Sequence, residues 1–205
     1  MTPIVHDQLP LFPLRAVLFP AGLLELKIFE ARYLDLMSRC LREQRPFGVV
    51  ALKRGGESQM SDEAVELHGA GTLAELIEVD SARAGILLVR ARGTRRFALE
   101  SAGQREEGLW VGRASELPDD EIVPPRPEHA GIVQGLTEAI GRLGAQGAHP
   151  FLEPHRFESA GWVADRWCEI LPIPLEAKVQ LMAFTAPLER LDVVDAFMSS
   201  GAPSH

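Results

Sequence analysis

Residues 9 to 52 read L-P-L-F-P-L-R-A-V-L-F-P-A-G-L-L-E-L-K-I-F-E-A-R-Y-L-D-L-M-S-R-C-L-R-E-Q-R-P-F-G-V-V-A-L, and along them the hydrophobic period changes twice. Leu24, Leu26 and Ile28 alternate with Leu23, Glu25 and Lys27, the period of a strand with one apolar and one largely charged face. From Glu30 the spacing becomes helical. Tyr33, Leu34, Met37 and Leu41 fall on one stripe of a helix that ends near Glu43, and Glu30 sits where the positive end of its dipole would be. Pro46 closes that helix, and Phe47 to Leu52 follows as a short apolar strand. Strand, helix and strand are joined with almost no loop.

The chain has 205 residues, 46% of them hydrophobic, enough for one large domain or a domain with a helical extension. Its first residues lack the basic start and apolar middle of a secretory signal, and no apolar run reaches the length of a membrane span, so the expected setting is cytoplasmic, without membrane contact. Cys40 and Cys168 lie on separate predicted helices, which fits buried, reduced thiols better than a disulfide. The formal charge of −8 is uneven. Through Leu117 there are 15 Lys plus Arg against 16 Asp plus Glu; from Pro118 onward there are 6 against 13. That shift coincides with P-D-D-E-I-V-P-P-R-P, which has the prolines and charges of a connector. The predicted organisation is a strand-rich part over residues 1–117, a linker over 118–126 and a helical part over 127–205.

Within the first part, Gly71–Val79, Ile86–Arg92, Arg95–Ser101 and Leu109–Leu117 read as strands divided by short turns, spaced as antiparallel neighbours. With the opening strands they predict an α+β fold, a partly closed antiparallel β-barrel carrying one helix and followed by a helical bundle. Arg54–Ala64 is polar and unpatterned, as a mobile loop would be. In the second part, Pro127–Leu143 and Ser159–Leu171 carry helical stripes, and Pro174 and Pro187 mark the starts of two more helices, each expected to be amphipathic.

Several segments are similar to one family in order and spacing. These are the opening stretch, G-A-G-T-L-A-E-L-I-E-V from Gly69 to Val79, L-L-V-R-A-R-G-T-R-R-F-A-L from Leu87 to Leu99, and the tail from Trp162 to Leu191 with its P-L-E-R-L. The chain resembles the substrate-binding domain at the N-terminus of Lon-type ATP-dependent proteases. The family's usual proline between the glutamate and arginine of the helix start is here Ala31, a strong helix former. The resemblance implies a PUA-like barrel followed by helices, and a module that engages unfolded or tagged protein for a protease or ATPase partner. Such a module would use an exposed apolar groove around Leu11, Phe12, Val17 and Phe19, with Arg32, Arg92 and Arg96 as charged contacts. Self-association is left open.

No catalytic residues are assigned. There is no G-x-x-x-x-G-K-[ST] loop, no G-x-S-x-G elbow, and none of Lys27, Lys53 and Lys178 sits in a serine-lysine motif, so no ATPase or protease activity and no cofactor are expected. His149, Glu153, His155 and Glu158 are the best candidates for metal ligation, but they read as a solvated connector and no metal is assigned. Asp119, Asp120 and Glu121 read as linker charge. The arginines Arg83, Arg90, Arg92, Arg95 and Arg96 could grip the phosphates of RNA or a nucleotide, or acidic peptide segments. An acidic chain of pI 5.3 has no field to gather nucleic acid, and the alternative is an outer sheet face paired with Glu75, Glu78 and Glu100.

Overall fold

The computed structural model describes residues 3–57 and 64–200, so most of the predicted Arg54–Ala64 loop, residues 58–63, lies outside the described residues. Six strands come first, interrupted by one helix: β1 Val5–Leu14, β2 Leu23–Ile28, α1 Ala31–Glu43, β3 Phe47–Arg54, β4 Glu66–Arg83, β5 Ile86–Gln104 and β6 Trp110–Glu116. After a 3₁₀ turn at Pro127–His129 come α2 Ala130–Ala145, α3 Ala160–Ile170, α4 Leu175–Ala183 and α5 Pro187–Ser199. The chain divides into two compact units. One comprises residues 1–118 and 174–183, the other 119–173 and 184–205. Helix α4 thus packs on β3, β4 and β5 rather than joining the other late helices in a bundle.

The sheet runs β2-β5-β4-β3-β1-β6, and β5 also pairs with β6, which closes β1, β3, β4, β5 and β6 into an irregular ring. The expected α+β fold with a partly closed, mainly antiparallel sheet is present; the departure in strand direction is that β1 and β3 are parallel, with Leu11 opposite Gly48 and Leu14 opposite Ala51. A parallel pair needs a crossover, and β2 with α1 supplies it. β1 carries two prolines: Pro10 lies beside a register shift between His6 and Leu9, and Pro13 lies beyond Leu11, the last residue paired with β6.

Both faces of β1 and β3 are buried. Leu9, Leu11, Val50, Leu73, Phe97 and Ala114 fill the ring, while Phe12, Leu14, Phe47, Val49 and Ala74 turn the other way under Tyr33, Leu36, Met37 and Cys40 of α1. A run such as L-P-L-F-P-L, apolar at successive positions, therefore marks a strand buried on two sides.

The residues Arg95–Ser101, read as a separate strand, continue Ile86–Arg92 without a turn. Gly93 makes this possible. The Phe19–Gly22 turn crosses it, with Ala21 N–H donating to the Gly93 carbonyl at 2.8 Å and Gly93 N–H donating to the Gly22 carbonyl at 2.9 Å. A Cβ at residue 93 would stand against the Phe19 carbonyl oxygen, so the position demands glycine for close approach. β4 and β5 consequently extend past the ring as an arm, with β2 laid along β5.

In the second unit α3 is buried all round, from Ala160 to Cys168, instead of amphipathic. Ser159 caps it by accepting a hydrogen bond from Trp162 N–H, and Trp167 Nε1 donates to the Ile132 carbonyl of α2 at 3.0 Å. Arg190 of α5 lies among Asp120, Asp165 at 3.2 Å and the Phe184 carbonyl at 2.5 Å. Burial alone would depress this guanidinium's pKa; Asp165 and Asp120 outweigh it, so the charge is kept.

Gly93→Ala is expected to lower the stability of the strand unit by about 2 kcal/mol or more, because the added methyl meets backbone rather than a movable side chain. Urea unfolding followed by circular dichroism in the β-sheet region would measure it, with Gly103→Ala, where a Cβ meets nothing, as the control.

Candidate functional site

Three of the four apolar residues expected to form a groove are part of the core. Leu11 and Phe19 have no accessible surface and Phe12 keeps 7%, the first inside the ring and Phe12 stacked on Tyr33 with ring centroids 4.1 Å apart. For Leu11 and Phe12 the cause is that apolar character at successive positions leaves a strand no wet face to present, whereas Phe19 lies between β1 and β2, in the turn that crosses Gly93. Val17 alone is half-buried, beside Val179 and Met182 of α4.

Two of the three expected charged contacts are also internal. Arg32 is buried and acts as a bolt at the start of α1, donating to the Gly108 carbonyl at 2.8 Å and the Glu57 carbonyl at 3.1 Å while pairing with Glu30 at 3.0 Å. Its guanidinium also lies 4.4 Å from the Tyr33 ring centroid. Arg96, 3% exposed, donates to the Met182 carbonyl at 3.3 Å and the Pro118 carbonyl at 2.7 Å, tying α4 to the sheet. Arg92 remains outside and pairs with Glu75 at 3.1 Å.

Arg92 belongs to the outer face of the arm, where charges stand in cross-strand rows. Arg90 on β5 lies between Glu25 of β2, at 3.3 Å, and Glu78 of β4, at 3.0 Å. In the next row Leu88 is flanked by Lys27 and Asp80. Elsewhere Arg95 pairs with Glu116 at 2.8 Å, and Arg113 holds Glu100 at 2.9 Å and Asp7 at 3.0 Å. Exposed pairs of this kind contribute about 0–1 kcal/mol each, so they shape the face more than they stabilise it.

The outer face is concave. A hollow of about 400 Å³ is lined by Glu25, Leu26, Lys27, Glu78, Asp80, Leu88, Val89 and Arg90. Leu88 is 46% exposed beside it, and Ile77 is 49% exposed on β4. Strict alternation would send Ile77 inward with Val79. A register shift between Leu76 and Glu78 inserts it as an extra residue and leaves it in water. No periodicity in the sequence announces such a bulge.

His129 and His155 are held by packing and local bonds. His129 is buried, its Nδ1 accepting from Arg126 N–H and its Nε2 lying 2.7 Å from Asp192. His155 packs against the rings of Phe157 and Trp162. Among the described residues no three His, Cys, Asp or Glu side chains converge as metal ligands. Cys40 and Cys168 are buried free thiols, and burial pushes the Cys40 thiol up to about 11, away from the reactive thiolate.

Sheet, helices and surface together define an α+β module built around an irregular strand ring with an outward arm. The family described as the ATP-dependent protease La (LON) substrate-binding domain matches residues 8–200, and the chain belongs to that family. A solved Lon N-terminal domain protein from Xanthomonas campestris is 31% identical over 94% of this chain and 99% of its own, with a TM-score of 0.74. The N-terminal domain of a Mycobacterium avium complex Lon protease shares the fold at 14% identity and a TM-score of 0.62, over 95% of this chain and all of its own. No match was found among curated proteins. No helix among the described residues is long and apolar enough to cross a membrane.

Among the described residues the Tyr33 hydroxyl has no hydrogen-bond partner, and burial raises its pKa to about 12. Tyr33→Phe is therefore expected to stabilise the strand unit by about 1 kcal/mol, by removing a polar group left without a partner. Chemical denaturation of the variant beside the parent would show the midpoint move upward.

Proposed function

We propose that this chain is a non-catalytic polypeptide-binding module, an adaptor or chaperone-like holder of unfolded or tagged protein. Membership of a substrate-binding family along residues 8–200 is the observation that carries this reading. The surface we assign to capture is the concave outer face of β2, β5 and β4, with Leu88 and Ile77 as its apolar contacts. An extended segment laid there could desolvate both side chains while the surrounding charges meet its polar groups. Two half-exposed aliphatic side chains offer modest binding energy, which suits a holder that releases what it captures. The partner implied is a protease or ATPase acting on the held chain, in the cytoplasm, with no cofactor.

RNA is the alternative ligand for a PUA-like barrel. Against it stand the carboxylate partners of Arg90, Arg92 and Arg95 and the net charge of −8.

The test is fluorescence anisotropy of a labelled, permanently unfolded protein titrated with this chain at low and high salt, beside a labelled RNA. Saturable binding of the unfolded protein that survives salt is expected. Ile77→Ser with Leu88→Ser should weaken it about tenfold with an unchanged unfolding midpoint, since both side chains are exposed in the free protein. Binding of the RNA alone, lost at high salt, would replace this function with nucleic-acid recognition.

A further inference from the structure

The strand order leaves β2 at the end of the sheet. It pairs with β5 from Leu23 opposite Arg92 to Ile28 opposite Leu87, and among the described residues no strand lies on its other side. Such an edge is a template for another strand, usually guarded by being short and charged. β2 has six residues with Glu25 and Lys27 on its outer face, yet Phe29, just beyond its end, is 63% exposed.

From these features we propose that β2 is a dimerisation edge, pairing antiparallel with β2 of a second copy about a two-fold axis at Leu26. This goes beyond polypeptide capture and does not depend on it. The occupant follows from the order of residues on the strand. With the axis at Leu26, Glu25 stands opposite the second copy's Lys27 and Lys27 opposite its Glu25, so symmetry makes two ion pairs from one sequence. The neighbouring pairs match as well. Leu23 meets Phe29 on the outer face, and on the inner face Leu24 meets Ile28 while Leu26 meets itself.

Other registers fail on the same residues. An axis at Glu25 sets glutamate opposite glutamate, and one at Lys27 sets lysine opposite lysine. A shift by a single position joins the outer face of one copy to the inner face of the other. The charges that repel arbitrary strands therefore select this one. The result is a continuous sheet in the order β4-β5-β2, then β2-β5-β4 of the second copy, with the outer faces of both arms on one side.

Sedimentation velocity of the full chain over a concentration series tests the proposal through reciprocal charge changes. The parent is expected to dimerise. Lys27→Glu alone and Glu25→Lys alone each place like charges opposite one another twice, and should raise the dimer dissociation constant about tenfold or more. An equimolar mixture of the two variants restores opposite charges at both pairs and should recover the dimer as a heterodimer. Circular dichroism melts verify folding, which matters because Glu25 also touches Arg90. A parent that stays monomeric at about 100 μM, far above the micromolar range of specific association, overturns the proposal. So does a dimer that both variants leave intact, since it would use another face. A monomeric parent whose capture of unfolded protein is lost in both variants would assign the edge to a client strand instead.

Discussion

The strand unit depends on one close approach, the crossing of the Phe19–Gly22 turn over Gly93. Those two hydrogen bonds hold β5 where it leaves the ring and becomes the arm. Before this point β5 lies between β2 and β4; after it, β5 pairs with β4 and β6 and closes the ring. Only a residue without a Cβ lets the turn come close enough, so a single glycine allows one strand to serve both the closed core and an open face.

Around that crossing, apolar residues and buried arginines divide the work. The two-sided burial of β1 and β3 separates the ring interior from the layer under α1, so both layers depend on the same two strands. The arginines then hold what apolar contact cannot orient. Arg32 fixes the start of α1 to the turn at Gly108, and Arg96 fixes the end of α4 to the sheet. In the helical unit Arg190 does similar work with Asp120 and Asp165. Each buried guanidinium is matched by carbonyls or carboxylates, as the cost of burying a charge requires.

The arm has a different character because none of the other described elements packs on its outer face. Its charges are paired across strands, its apolar residues are few, and its edge at β2 is open. A surface of this kind can hold an extended chain weakly on its face and still offer its edge to a second copy. The two surfaces meet at Glu25 and Lys27, which line the hollow as well as the edge, while Ile77 and Leu88 belong to the face alone.

The sequence by itself determined the family and most of the local elements, β1 and the continuity of β5 excepted. The change of period at Glu30, the stop at Pro46, the four late helices, three of them marked by a proline, and the alternation of Leu24, Leu26 and Ile28 are short-range properties, and they survive in the fold because nothing distant opposes them. Burial of the two cysteines was legible for the same reason. The tertiary structure alone decided which apolar run was core. Leu11 and Phe12 look like part of an exposed patch until the ring closes over one face of β1 and α1 covers the other, and Arg32 and Arg96 look like ligand contacts until their carbonyl partners arrive from residues up to 86 positions away. It also decided the parallel pairing of β1 with β3, the bulge that exposes Ile77, and the return of α4 to the sheet. These are choices among distant partners, and a hydrophobic pattern records how much surface each segment must bury without recording against what.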